Sequence, residues 1–261
     1  MESRHADDIE KIVCPASQFD EIAFLYDELM AGVPYGAWVA YVERILKQFG
    51  CRPRTVLDLC CGTGSASLLL AGKGYDVSGV DVSPAMIEVA SRKAEENGVR
   101  VDYCVQDASS LRLSTRFDLV VSLFDSLNYV LESAALQELF YRVSEHLRPT
   151  GLFVFDMNTE LAFSAGLFDQ SNPASRATVL YDWRSSYDPG ARICTIRMDF
   201  MYRRGGTQER VEVTHYQRAY DAEEIVEMLA ASRLKVLAVY DAYTFRPATR
   251  RSDRVFFVAR K

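Results

Sequence analysis

Residues 55–67 read TVLDLCCGTGSAS: a carboxylate, Asp58, inside an apolar run, then the adjacent cysteines Cys60 and Cys61, then Gly62 and Gly64 at G-x-G spacing. Two chemistries use such residues. Paired thiols serve metal or redox work, whereas glycines between a strand and a helix let a bound group approach bare main chain at the positive end of a helix dipole. The cysteines Cys14, Cys51, Cys60, Cys61, Cys104 and Cys194 form no C-x-x-C and no Cys/His set at zinc spacing, so sulfur chemistry is not required. The thiols read as reduced, small, polarisable packing residues. Cys60 carries a Cβ where such turns often have a first glycine, and its backbone is expected to keep to φ below zero.

Asp81 ends the next apolar run, where a carboxylate accepts from both hydroxyls of a ribose, as it also would in a dinucleotide site. Asp58 separates the alternatives, because a carboxylate just before the glycines repels a pyrophosphate but suits a cation without phosphate. S-adenosylmethionine, with its sulfonium and ammonium, has that character. Asp107, in VQDA, is placed to accept from an exocyclic adenine amine.

A second group follows the fourth apolar run, in FDSLNY: Asp125, Asn128 and Tyr129. His215 shares a strand face with Val211 and Val213. Together they offer acceptors, donors and one base to an amine or hydroxyl, with His215 as general base and Asn128, Tyr129 and His215 against the substrate; loop-supporting hydrogen bonds and a structural histidine fit the same residues. Displacement at a sulfonium asks mainly that the nucleophile be aligned, water excluded and a proton removed where needed. Asp125, Asp156 and Asn158 roughly match the ligand set of a metal-dependent O-methyltransferase, but as D-M-N rather than with two adjacent ligands, and no metal is expected. FDSLNY lacks the proline of base-amine methyltransferases and the cysteine of a cytosine-C5 enzyme.

These residues need a scaffold. From Arg54 short apolar runs (TVLDL, DVSGVD, VDYCV, FDLVVSL, LFVFD) alternate with helical segments, the pattern of βαβ units in a parallel sheet covered on both faces. Ser83 before Pro84 reads as an N-cap with a first-turn proline. Ahead of the sheet, Phe19, Ile22, Tyr26 and Leu29, then Trp38, Val42, Ile45 and Phe49, mark two amphipathic helices around AGVPYG. After Asn158 three β-rich segments joined by DPGA and RRGGT read as an antiparallel meander, followed by a helix (DAEEIVEMLAAS) and two closing strands (LKVLAVY, RVFFVARK). The expected division is a helical cap over 1–50, a core over 51–158 and 221–261, and an antiparallel insertion over 159–220 that forms a substrate lid.

A chain of 261 residues with net charge −6, 49% hydrophobic and with no continuous Lys/Arg stripe points to a small-molecule partner rather than nucleic acid. No run reaches the ~18 apolar residues of a membrane span, and MESRHADDIEKI is too charged for a signal peptide, so the expected location is cytoplasmic. Monomer and homodimer both stay open. The arginines Arg246, Arg250, Arg251 and Arg254 read as a solvated loop or an anion site.

LDLCCGTG, GVDVSPAMIEVA, VQDASSL, FDLVVSLFDSLNYV, HLRPTGLFVFDMN and RVFFVARK together resemble the successive motifs of class I S-adenosylmethionine-dependent methyltransferases. Within that family the N-terminal helices and the strand insertion are similar to glycine N-methyltransferase and the amino-sugar N-methyltransferases. The resemblance implies an α/β, Rossmann-like seven-stranded sheet of order 3-2-1-4-5-7-6 with the last strand antiparallel. It implies S-adenosylmethionine as cofactor, S-adenosylhomocysteine as product, and methylation of N or O on a small molecule; a cofactor-binding protein without turnover shares the same motifs. By motif, Asp58, Cys60, Gly62 and Gly64 hold the methionine end, with Leu123 lining it. Asp81 takes the ribose, Met86 an adenine face, and Asp107 with Ala108 the adenine edge, with Val82 and Gln106 also among the cofactor-binding residues. Tyr26 and Trp38 close the N-terminal segment over the cofactor, a role that burial in a helical core would equally explain.

Overall fold

Val56, Leu57 and Leu59 make strand β1 (Thr55–Leu59) apolar on both faces, so it must lie at the centre of a sheet covered twice. In the computed structural model, which describes residues 15–172 and 179–261, it does. The charged segment 1–12, Cys14 and the first residue of the first expected insertion strand, Thr178, lie outside the described residues. β1 pairs in parallel with β2 (Asp76–Asp81) and β4 (Phe117–Ser122), β2 with β3 (Asp102–Val105), and β4 with β5 (Leu147–Asn158). β10 (Lys235–Asp241) and β11 (Arg254–Arg260) complete the order β3-β2-β1-β4-β5-β11-β10, with β11 antiparallel to both its neighbours. Omitting the insertion strands, this is the order 3-2-1-4-5-7-6.

Strand parity sorts the core into two layers. Phe153, Phe155 and Met157 of β5 with Val255 and Phe257 of β11 pack against α6 (Ser133–His146) and α8 (Ala222–Ala231). Leu152, Val154, Phe256 and Val258 point the other way, to α3 (Tyr35–Gln48) and α4 (Ser65–Gly72). That alternation is the two-residue period of a strand buried on both sides.

Ahead of α3 the periodicity predicts one helix, and the structure has two, α1 (Pro15–Asp20) and α2 (Ala23–Leu29). The break is a turn closed by Ile22 N–H donating to the Phe19 carbonyl at 3.2 Å. It turns Asp20 toward α5 (Pro84–Glu96), where its carboxylate accepts from the Ser83 hydroxyl, while Ile22 enters the core of a second sheet. Ser83 is the cap expected of it, accepting from Met86 N–H at 3.1 Å with Pro84 in the first turn.

Between α7 (Glu160–Ser164) and α8 the second sheet runs β6-β7-β8-β9, all antiparallel: β6 (Gln170–Asn172), β7 (Val179–Asp188), β8 (Ile193–Arg204) and β9 (Thr207–Arg218). Three of these strands are those the sequence predicts. β6 is additional: Gln-Ser-Asn has no strand propensity and is a strand only because it meets Tyr181–Trp183 in register. Cys194, Ile196, Met198 and Phe200 of β8 share the buried face with Val213, His215 and Gln217 of β9.

One aromatic ring props the edge of the main sheet. A Cβ added at Gly64 would sit 2.2 Å from the Tyr103 hydroxyl, and one at Gly79 would sit 2.5 Å from its ring.

Candidate active site

The ends of β1, β2 and β4 and the buried face of the second sheet are walls of one cavity of about 1000 Å³. On the β1 side the chain turns through Cys60 (φ 60°), Gly62 (φ 53°) and Gly64 (φ 74°) before entering α4. Cys60 therefore departs from the negative φ expected of it. The next N–H, of Cys61, must reach the Val80 carbonyl at 2.9 Å, and Gly62 N–H reaches Asp81 Oδ2 at 2.8 Å; these bonds hold the left-handed turn at a cost of about 1 kcal/mol for the non-glycine residue. Burial, then the nearby carboxylates, push both the Cys60 and Cys61 thiols upward, so they stay protonated packing groups. Gly64 is not a wall residue: its lack of a Cβ accommodates Tyr103.

Three carboxylates face this half of the cavity. Asp58 is buried and accepts from the Ser67 hydroxyl at 2.5 Å; burial, reinforced by the charge of Asp81, lifts its pKa to about 7 against that bond. Asp81 accepts Gly62 N–H on Oδ2 and Ser83 N–H at 2.9 Å on Oδ1, and each oxygen keeps a further lone pair, as a cis-diol needs. Burial raises its pKa and the backbone N–H groups oppose the rise. Asp107 uses Oδ1 to cap the short turn Ala108–Ser110, and among the described residues Oδ2 accepts no hydrogen bond. Val82, Met86 and Ala108 line the same half, and so does Gln106, whose amide is tied to the backbone of Arg112. Leu123 and Tyr26 also line the cavity.

Trp38 does not. It lies behind the wall, stacked on Tyr243 at 5.6 Å and against Phe124 at 5.1 Å, and Tyr35 of the same helix reaches the cavity instead. The cap is pinned by two aspartates: Asp20 to Ser83, and Asp27 to the Thr63 hydroxyl at 2.6 Å and the Lys93 ammonium at 2.7 Å. The bonds to Thr63 and Ser83 end in the turns that follow β1 and β2, and the one to Lys93 ends on α5.

Across the cavity, Phe124 (φ 71°) and Asp125 (φ 49°) form a second left-handed turn without glycine. The buried Asp156 holds it, accepting Phe124 N–H at 2.8 Å and Asp125 N–H at 3.0 Å. Arg254, the first residue of β11, places its guanidinium between Asp156 and Asp125, 2.7 Å from the latter, while Gln217 donates to the other Asp125 oxygen at 2.7 Å. The two carboxylates that would ligate a metal are thus already bridged by an organic cation. Among the described residues no group of three His, Cys, Asp or Glu side chains stands where it could hold a metal ion. Arg254 is neither the solvated loop residue nor the anion site expected of the arginine segment; Arg246 pairs with Asp241 at 3.0 Å, and Arg250 and Arg251 are exposed.

Asn128, expected to meet substrate, is fully buried and is not a wall residue. Its amide donates to the Asn158 and Arg218 carbonyls at 3.1 and 2.9 Å and accepts from Asn158 N–H at 2.9 Å, tying the end of β5 to the end of β9. Tyr129 and His215 do come together at the wall, 3.0 Å apart. His215 Nε2 lies 2.8 Å from the Gln18 carbonyl, which can only accept, so Nε2 carries the proton and Nδ1 accepts from the Tyr129 hydroxyl. Burial drops the His215 pKa to about 4 and pushes the Tyr129 phenol upward, so both are neutral. Phe19 covers the pair, its ring 4.9 Å from Tyr129 and 4.8 Å from His215.

The wall residues Gln18, Tyr35 and Gln217 had no sequence signal of their own, while Phe19 read only as a helix-face position and Arg254 only as part of the arginine segment.

Residues 56–151 match the family model described as a methyltransferase domain. Over 246 residues the chain is 32% identical to a putative methyltransferase of Geobacillus sp. (strain WCH70), covering 93% of this chain and 99% of that relative. An S-adenosylmethionine-dependent methyltransferase from Clostridium acetobutylicum shares the structure with a TM-score of 0.82 at 28% identity, over 93% of this chain and 98% of that one. The sugar N-methyltransferase KedS8 of Streptoalloteichus shares the fold, with a TM-score of 0.75 at 21% identity over 90% and 93% of the two chains. The carboxylates on the β1–β2 edge suit a cation bearing a ribose and an adenine, as the cofactor of these proteins does. The chain belongs to the class I S-adenosylmethionine-dependent methyltransferases.

Proposed function

We propose that the chain methylates a small-molecule acceptor, at a nitrogen, in the half of the cavity between Tyr129 and the second sheet. The observation that carries this is the shared cavity: the Asp58–Gly62–Asp81 edge and the Tyr129–His215 pair are two walls of one space. Its volume of about 1000 Å³ stands at the top of the roughly 300–1000 Å³ found for single small ligands, in keeping with two molecules side by side.

S-adenosylmethionine, when bound, supplies an activated methyl group on a good leaving group. The chain's own residues position and shield. Asp58 and the Gly62 backbone hold the cationic methionine end, Asp81 the ribose, Met86 and Asp107 the adenine, and Tyr26 closes over them. The Tyr129 oxygen, its proton directed to His215, offers lone pairs to an acceptor N–H and so aims the nitrogen lone pair. The second sheet acts as the lid that excludes water.

Nitrogen is favoured over oxygen by the state of the bases. His215 is neutral but far below the usual histidine range, and Asp125 is engaged by Arg254 and Gln217. An amine attacks as a neutral nucleophile and sheds its proton afterwards, whereas an alcohol needs a stronger base in place.

The test is transfer of label from [methyl-³H]S-adenosylmethionine to a metabolite extract and to an amine panel. Labelled N-methyl product is the expected result. Tight cofactor binding with no transfer to any acceptor overturns the enzymatic reading in favour of a binding protein, and transfer confined to phenols or alcohols overturns the choice of nitrogen.

A further inference from the structure

We infer that the acceptor is an amine with a predominantly apolar, uncharged body, an arylamine or alkyl-substituted aromatic amine rather than an amino sugar or free amino acid. The inference rests on the methyl-transfer reading and adds the substrate class. It comes from how polarity is distributed over the cavity wall. Of the wall carboxylates with no ion-pair partner among the described residues, Asp58, Asp81 and Asp107 lie at the β1–β3 edge, where the cofactor is held, and Glu132 and Asp253 are exposed.

The opposite half is lined by Leu29, Met30, Leu167, Phe168, Trp183 and Met198. Along β9 the inward face changes from Val213 to His215 to Gln217, so polar atoms gather at the end of the strand that meets Asp125. Register places Met198 beside Val213, and Ile196 beside His215. An acceptor would therefore meet hydrogen-bonding groups at one end, around Tyr129 and Gln217, and mostly hydrocarbon along the rest, interrupted by Gln170 and the Trp183 indole N–H.

A sugar would bury more hydroxyls against that largely apolar wall than Gln170 and the Trp183 indole N–H can meet, each unmet one costing about an unmade hydrogen bond. A cationic amine would find no buried, unpaired carboxylate beside Tyr129 among the described residues, because Arg254 already neutralises Asp125 and Asp156; the unpaired Glu132 and Asp253 are exposed to water. An arylamine is neutral at pH 7 and keeps the lone pair that the proposed transfer needs.

The experiment measures binding of 4-ethyl-, 4-butyl- and 4-hexylaniline and of glucosamine to the full chain saturated with S-adenosylhomocysteine, by calorimetry. Affinity should rise about three- to fourfold per methylene, the increment for a CH₂ group leaving water, and glucosamine should bind more weakly than any of the three anilines. Leu167→Gln, at a half-exposed position that folding tolerates, and Met30→Gln should each weaken 4-hexylaniline several-fold and leave S-adenosylhomocysteine binding unchanged. Affinity flat along the series, or glucosamine the tightest ligand, overturns the inference while intact S-adenosylhomocysteine binding leaves the methyl-transfer reading standing. Loss of S-adenosylhomocysteine binding in the unmodified chain would instead overturn that reading itself.

Discussion

The Tyr129 hydroxyl and His215 Nδ1 lie 3.0 Å apart, and the direction of the bond between them is set on the far side of the ring by the Gln18 carbonyl. A cap residue from α1 thus decides the tautomer of a residue in β9, and through it which way the Tyr129 proton points. Tyr129→Phe should lower kcat by about 10- to 100-fold while S-adenosylmethionine affinity changes less than twofold. Steady-state kinetics beside cofactor titration checks this; a loss confined to cofactor affinity would move Tyr129 to the other half of the site.

His215 also ties stability to pH. Its pKa in the fold, about 4, lies below the ordinary value near 6.5, so its contribution is complete above 6.5 and is lost as pH falls toward 4. Between pH 7 and 4 the wild type should lose about 2–3 kcal/mol more than His215→Gln. Urea unfolding at several pH values reads the difference, and parallel curves for the two proteins would refute it.

Asp58 predicts the opposite slope for the ligand-free chain. Its pKa of about 7 exceeds the ordinary carboxylate value of about 4, so the stability it contributes is full below 4 and is lost as pH rises through 7. A cation beside it needs the ionised form. S-adenosylmethionine affinity should therefore climb with pH by up to about tenfold per unit and level off above 7, and Asp58→Asn should bind weakly without that dependence.

Arg254→Met leaves Asp125 and Asp156 facing each other without their shared cation, which should cost about 3–5 kcal/mol. Adding Asp125→Asn should return a measurable part of it. If the double variant is no more stable than the single one by chemical denaturation, the guanidinium does not act as the clamp described.

Asp27→Ala cuts the tie from α2 to Thr63 and Lys93 while touching no wall residue of the β9 side. Cofactor dissociation should speed up by about fivefold, some 1 kcal/mol, with kcat nearly unchanged. Stopped-flow release of S-adenosylhomocysteine measures it.

The half of the site that could be read in advance is the half built from neighbours in sequence. Asp58 and Asp81 lie at the ends of β1 and β2 and Gly62 in the turn between β1 and α4, so strand alternation, the glycine spacing and the motifs around them made their positions legible. Arg254 is brought to Asp125 across 129 residues, and Gln18 to His215 across 197, by strand register and by the break in the first helix, neither of which leaves a local pattern. Asn128 shows the converse: a polar residue in an apparently catalytic loop, consumed by the backbone of two strand ends. Trp38 has helical spacing that fits core and cofactor wall alike, and packing around Arg254 decided for the core. At Cys60 the steric rule favouring negative φ is real but small, and two hydrogen bonds to β2 outweigh it.

Tyr103 carries a consequence for how the family can vary. Gly64 is glycine for two reasons, a φ of 74° and the Tyr103 hydroxyl, whereas Gly79 has ordinary backbone, with the Tyr103 ring against it and, less tightly, the Cys61 sulfur at 3.1 Å, which need yield only a few tenths of an ångström. The two glycines therefore differ in mutational freedom. Where an ancestor or relative carries a small residue at 103, an alanine becomes admissible at 79 but not at 64, and the order of the two changes matters: 79 first is a clash, 103 first is a cavity that 79 can then fill. Positions 79 and 103 are thus epistatic, while the glycine that opens α4 stays constrained by its own backbone whatever happens on the edge strand.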